Sequence, residues 1–205
     1  MKTFRQFIIE ENDPPKKPVV FAFGRMNPPT TGHQKVVDKV HELAKKHGAR
    51  HEVTLSASHD KKKNPLDPKT KLKHVKRAFP NTNINVASKT EPNLLHQAAR
   101  LNKAGHDHLI VVTGSDRVDS YKKYLEAYNG KADKKGHIPY SFKKIEIHSS
   151  GERDPDAEGT KGMSGSKMRE HVKNNSFKKF RDGIPKHVSD EHAKELFHDV
   201  KRGMS

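Results

Sequence analysis

The chain has 205 residues, a formal net charge of +16 with 15 histidines besides, and 31% hydrophobic residues, against about 45–50% in an ordinary globular protein. That length suits one α/β domain with a short extension and is too small for two full domains. There is no cysteine, which excludes disulfides, thiolate zinc sites and cysteine nucleophiles; no apolar run approaches the about 20 residues of a membrane helix, and a cytoplasmic protein with no membrane association is the expectation.

Residues 1–17 read as an arm. The apolar stretch of the first eleven residues is only Phe7-Ile8-Ile9, ended by Glu10 and Glu11, and so is no secretory signal. Asn12-Asp13-Pro14-Pro15-Lys16-Lys17 is a breaker-rich linker. Apolar strand segments follow at Pro18–Phe23, Glu52–Ala57, Asn83–Ala87, His108–Thr113 and Lys144–His148. Helical spacing falls between them. Val36, Val37, Val40, Leu43 and Ala44 share one face; Leu72, Val75, Lys76 and Phe79 mark a second helix; Leu94, Leu95, Ala98, Ala99 and Leu101 a third; Val118, Tyr121, Leu125 and Tyr128 a fourth. This alternation predicts an α/β fold, a Rossmann-like five-stranded parallel sheet with helices on both faces. Gly151–Gly165 reads as a long functional loop, followed by a short helix over Ser164–Lys173. Residues 18–175 form the expected domain, and 176–205 a C-terminal helical tail in which Ser189 caps the last segment.

Four stretches carry chemistry. Phe23-Gly24-Arg25-Met26-Asn27-Pro28-Pro29-Thr30-Thr31-Gly32-His33 leaves the first strand and opens the first helix. Gly24 permits a tight turn and leaves room for a nucleotide. Thr30, Gly32 and His33 sit where unpaired N–H groups and the positive end of the helix dipole favour phosphate. An imidazole there can hold the charge that builds as pyrophosphate leaves. The second stretch, Ile110-Val111-Val112-Thr113-Gly114-Ser115-Asp116-Arg117, is another strand ending in a glycine turn. If strands one and four are neighbours, their carboxyl ends flank the topological switch point, where ligands bind, and Asp116 comes close to His33. The third, Gly162-Met163-Ser164-Gly165-Ser166-Lys167-Met168-Arg169-Glu170, offers Ser164 and Ser166 at a helix start and Arg169 as a fork for the outer phosphates. The fourth, His59-Asp60-Lys61-Lys62-Lys63-Asn64-Pro65-Leu66, supplies a lysine, Lys61 or one of its two neighbours, as a point charge on a phosphate.

Together these stretches resemble the nucleotidylyltransferase superfamily, whose signature is a Gly-x-Phe-x-Pro-x-His-x-Gly-His loop and a late Ile-Ser-Ser-Thr-x-x-Arg segment. Gly24 to His33 and Met163 to Arg169 stand in matching order. The details are most similar to nicotinamide-mononucleotide adenylyltransferases, in the threonine at Thr30, the lysine-rich stretch, and Gly114-Ser115-Asp116 with Tyr121 five residues on. The resemblance implies in-line attack on the α-phosphate of an NTP, ATP first, by a phosphate-bearing acceptor, with a magnesium ion carried by the NTP. Family members commonly stack the acceptor ring on a tryptophan after the third strand; Ser88-Lys89-Thr90-Glu91-Pro92-Asn93 has no aromatic, so the acceptor stays open. A cytidylyltransferase of the same fold is the alternative, and Arg169 favours the adenylyl branch. Met1 to Glu10 looks like the capsid-targeting peptide of internal proteins of large tailed phages. That hint implies host cytoplasm, with some copies packaged, and leads to a rival reading: a DNA-associated virion protein with a vestigial site. The charge predicts affinity for polyanions; the lysines are scattered and lack interleaved aromatics, so nucleic-acid contact is expected only through non-specific charge. No histidine pair has the spacing of a metal site.

In this reading His33, Thr30, Arg169 and Lys61 are the catalytic candidates. Phe23, Gly24, Arg25, Met26, Asn27, Gly32, Gly114, Asp116, Ser164 and Ser166 bind the nucleotide, and no residue is assigned to a metal.

Overall fold

The computed structural model describes residues 17–132, 136, 138–151 and 163–205. The amino-terminal arm, with its phage-like peptide, and residues 152–162 of the expected long loop, with Gly162, lie outside the described residues.

Five strands form one parallel sheet: β1 (Pro18–Gly24), β2 (Arg50–Leu55), β3 (Ile84–Val86), β4 (His108–Thr113) and β5 (Lys144–Ser149). Their order is β3-β2-β1-β4-β5, so β1 lies between β2 and β4. β2 begins and ends two residues earlier than its apolar pattern suggests, because Arg50 and His51 pair with Val19 and Val20 while Ser56 has already left the ladder. The helices are α1 (Thr31–His47), α2 (Pro68–Ala78), α3 (Leu94–Lys103), α4 (Val118–Tyr128), α5 (Gly165–Lys173), α6 (Phe177–Asp182) and α7 (Asp190–Met204), with a 3-10 turn at Ser115–Arg117.

Successive side chains of a strand point to opposite faces, and β1 shows what that builds. Val20 and Ala22 join a cluster with Val37, Val40 and Leu43 of α1. Val19 and Phe21 join the opposite cluster, with Ala98 and Leu101 of α3 and Leu125 of α4. β1 and β4 are thus sandwiched and read as apolar runs, as buried parallel strands do. Edge strand β5 is only half-buried.

Among the described residues, five of the seven helix starts have a side-chain cap. Thr30 caps α1, Asp67 caps α2 ahead of Pro68, Asn93 caps α3, Ser164 caps α5 and Ser189 caps α7, each side chain satisfying an orphan N–H. Gly48 ends α1 in the left-handed region at φ 56°, where a Cβ is penalised.

The C-terminal helices share the first cluster. Phe180, Ile184, Leu196, Phe197 and Val200 pack there with Met163, Met168 and Val172. α7 is also tied to α2 by polar contacts. His74 Nε2 lies 2.8 Å from Asp199 Oδ2, and Glu195 receives both Lys73 and Arg77. Gly203 lets α7 meet the lysine-rich stretch, since a Cβ there would lie 2.0 Å from the Pro65 carbonyl oxygen. Gly203→Ala therefore forces backbone apart, and should cost about 1–3 kcal/mol, the usual range for overpacking. A urea midpoint equal to wild type would show that α7 does not bear on Pro65.

Candidate nucleotide site

The site lies at the carboxyl ends of β1 and β4, where the sheet order reverses. A cavity of about 160 Å³ opens there. Phe23, Gly24, Arg25, Met26, Asn27, Thr30, Gly32, His33, Gly114, Asp116, Ser164, Ser166 and Arg169 all line it. Lys61 does not: its Nζ donates to the Ser205 carbonyl at 2.8 Å. Lys63 lines the cavity in its place.

The β1–α1 loop is held by its own buried asparagine. Asn27 Nδ2 donates to the Leu66 carbonyl at 2.9 Å, and Leu66 N donates to Asn27 Oδ1 at 3.0 Å. The side chain thus clamps the loop to the end of the lysine-rich stretch. Met26 before it takes φ 41°, an uncommon conformation for a residue with a Cβ, and its side chain is buried in the core. At Gly24 a Cβ would meet nothing within 4 Å. The glycine is not demanded by protein neighbours, and the space beside it faces the cavity.

Thr30 joins the first and third motifs. Its fully buried hydroxyl accepts from His33 N at 3.3 Å, donates to the Met163 carbonyl at 3.2 Å, and lies 2.9 Å from His33 Nδ1. A hydroxyl has one proton. With that proton given to Met163, Thr30 accepts from Nδ1–H. This tautomer makes Nε2 a donor only as an imidazolium. Gly32 completes the junction, because a Cβ there would come within 2.7 Å of the Met163 carbonyl oxygen. The sequence reading assigned Gly32 to phosphate access; the structure adds a steric reason, the close approach of the late segment. Arg169 crosses the same gap, with Nη1 donating to the Asn27 carbonyl at 2.8 Å and Nη2 to Ser166 Oγ at 3.0 Å. At the start of α1, Thr31 N goes to the Gly183 carbonyl at 2.9 Å and His33 N to Thr30.

The cavity is strongly cationic. Arg25, Lys35, Lys63, Arg117 and Arg169 line it, and Asp116 is the one acidic side chain among its described lining. Burial pushes the Arg169 guanidinium down from its ordinary pKa; the nearby Arg25 charge adds to this and Asp60 opposes it. Such mutual repulsion is relieved by a polyanion. The Asp60 carboxylate builds the loop that presents Lys63. It accepts from Lys63 N at 2.6 Å and Lys62 N at 2.9 Å, and these bonds with Asn64 hold it down at about 2. Asp116 is exposed and pairs with Arg117 at 3.7 Å. A Cβ at Gly114 would sit 2.6 Å from Asp116 Oδ1, so this glycine lets the carboxylate fold back over the strand end.

Lys35 and Arg117 were missed as site residues, and Lys63 was not singled out from its neighbours. Lys35 lies two residues past His33, at the start of the second turn of α1, a spacing that keeps it near the same end of the helix. The Asp60-to-Asn64 turn is the signal that would have selected Lys63. Among the described residues no group of three or more His, Asp or Glu is placed to hold a metal ion. No described helix is long and apolar enough to cross a membrane.

A doubly wound parallel sheet with a cationic cavity at its switch point defines the class, a Rossmann-like α/β domain whose ligand site lies at the strands' carboxyl ends. Residues 21–171 match the cytidylyltransferase-like family model, and the chain belongs to that family. Comparison with curated proteins gives no match. Among solved structures the chain is similar to Thermotoga maritima TmcAL bound with α-thio ATP, at TM-score 0.54 and 12% identity over 89% of this chain and 55% of that one. It is similar also to the apo form of TmcAL from the same organism, at TM-score 0.55 and 12% identity over 93% of this chain and 58% of that one. The chain thus spans a little over half the length of these structures, and the likeness is one of fold.

Thr30→Val keeps the shape of the junction and removes its hydroxyl. It leaves the Met163 carbonyl and the His33 N–H groups without their partner, a loss of about 1–3 kcal/mol for a buried group. Reduced stability in urea together with weaker nucleotide binding is the expected result. Wild-type values for both would mean that Thr30 does not join the two segments.

Proposed function

We propose that this protein transfers a nucleoside monophosphate, AMP before CMP, from an NTP to a small phosphate-bearing acceptor such as nicotinamide mononucleotide. One observation carries the reading: the first and third motifs converge on a single cationic cavity at the sheet's switch point, joined through Thr30, Met163, Asn27 and Arg169. Arg169 also supports the adenylyl branch, and the α-thio ATP in the TmcAL structure is a nucleotide of the same kind.

An acceptor phosphate oxygen attacks the α-phosphorus in line. The bond from that phosphorus to the bridging β-phosphate oxygen breaks, and pyrophosphate leaves with the bond's electron pair. No covalent enzyme intermediate is involved. Catalysis comes from positioning and from stabilising charge as it moves onto the leaving group. His33 and the positive end of the α1 dipole act at the inner phosphates, since the Thr31 and His33 N–H groups are taken within the protein, and Arg169, Lys63 and Ser166 act at the outer ones. Asp116 orients a ribose or the acceptor, and magnesium arrives with the NTP.

The test is a matrix of four NTPs against phosphate-bearing acceptors, nicotinamide mononucleotide first, with pyrophosphate as the readout. Removing one charge-stabilising donor costs about 3–4 kcal/mol in comparable sites. His33→Ala should therefore lower turnover at least about a hundredfold while the fold persists. Near wild-type turnover in that variant would remove His33 from the mechanism. Steeply salt-dependent DNA binding with no pyrophosphate from any NTP would replace the transferase reading by that of a DNA-associated protein.

A further inference from the structure

Lys71 is the most unusual charged residue of the described chain. It sits on α2 and is fully buried. Its Nζ donates to the Ser56 carbonyl, at the point where the chain leaves β2 for the lysine-rich stretch. Ser56 N in turn donates to the Gly24 carbonyl at 2.8 Å. Two hydrogen bonds therefore connect the buried ammonium to the turn that lines the cavity. The Ser56 hydroxyl beside this link is buried and has no partner among the described residues.

Burying an ammonium costs several kcal/mol unless a counter-charge neutralises it. No ion pair to Lys71 is formed within the described residues. Asp67, which caps the same helix, is the one charge whose field acts on it appreciably, and that carboxylate is occupied by Lys69 N at 2.9 Å and Thr70 N at 3.1 Å. The partner that Lys71 finds at the end of β2, the Ser56 carbonyl, is neutral. A methionine would fill the same space without the desolvation cost. The fold's own packing does not account for the charge; neither Lys71 nor Ser56 lines the cavity, and the two hydrogen bonds through Ser56 to Gly24 are the link to it.

We propose that Lys71 is a positioning residue for the nucleotide cavity, fixing the end of β2 and, through Ser56, the Gly24 turn, while supplying a buried positive charge to the bound triphosphate. This rests on the cavity's taking a polyphosphate, as the transferase reading requires. Burial holds the ammonium down at about 8, with Asp67 opposing the fall. Charged Lys71 is the form a polyanion favours, so the affinity it contributes is present below about pH 8 and lost as pH rises through it. Folding stability moves the other way. An unfolded lysine titrates near 10.5, so the native state binds fewer protons between about 8 and 10.5 and gains stability across that window. A side chain that merely packed would not drive binding and stability in opposite directions.

The experiment measures binding of inorganic tripolyphosphate and of ATP to the full chain by calorimetry from pH 7 to 9.5, for wild type and Lys71→Met. Wild-type affinity should fall about tenfold through pH 8, the size expected of one charge acting at an effective dielectric constant of about 20. Lys71→Met should bind about tenfold more weakly at pH 7 and show no such step. In case the variant does not fold, the Lys71 Cε resonance of labelled wild-type protein is titrated with and without tripolyphosphate; the ligand should raise its midpoint by about one pH unit. A midpoint unmoved by bound ligand, a folded variant with the wild-type pH profile, or a wild-type protein that binds neither polyphosphate overturns the inference. Polyphosphate binding with the expected step but no pyrophosphate from any NTP would sink the transferase reading and leave Lys71 in its role.

Discussion

The site depends on the close approach of the Met163 backbone to the first turn of α1. Two segments more than a hundred residues apart meet there with almost no side-chain filling between them. Gly32 makes the approach sterically possible, and the Thr30 hydroxyl makes it directional. Arg169 adds a third link by donating to Asn27. A buried carbonyl without a donor is costly, so this junction specifies one arrangement of the two loops. That arrangement gathers the side chains of both loops on one cavity.

The junction is supported from behind. A Cβ on Gly183 would collide with the side chains of Met163 and Met168, and the Gly183 carbonyl takes the Thr31 N–H. α6 and α7 therefore brace both motifs, while α7 also bears on Pro65 and, through Ser205, on Lys61. Asn27 and Asp60 then set the loop that carries Lys63. The C-terminal helices are part of the machinery that shapes the cavity, although none of their side chains lines it.

Electrostatics gives the cavity its ligand preference. Burial, with the nearby Arg25 charge, raises the cost of keeping Arg169 charged, and Asp116 alone among the described lining residues carries the opposite sign. Guanidinium groups that repel each other in a partly dry site form a preorganised receptor for several adjacent negative charges, because no reorganisation is needed when the ligand arrives. Behind the Gly24 turn, the buried Lys71 is joined to it through Ser56 by two hydrogen bonds.

The sequence by itself determined the five strands, the helices between them and the order in which the phosphate-seeking loops occur. Those features come from apolar patterns of strand and helix spacing, from capping residues such as Ser189, and from glycines at strand ends, all of them local. The neighbouring of β1 and β4 was legible only as a consequence of the doubly wound topology. The tertiary structure alone decided which lysine lines the cavity. Three consecutive lysines have the same composition and charge, and only the Asp60 turn and the Ser205 carbonyl separate Lys63 from Lys61. Gly32 shows the same division: its place at a helix start is read from the chain, but its steric need comes from a carbonyl at Met163. Lys71 could not be told from its exposed neighbours Lys69 and Lys73 by any local pattern, because burial is set by what packs on a residue and not by the residues beside it in the chain.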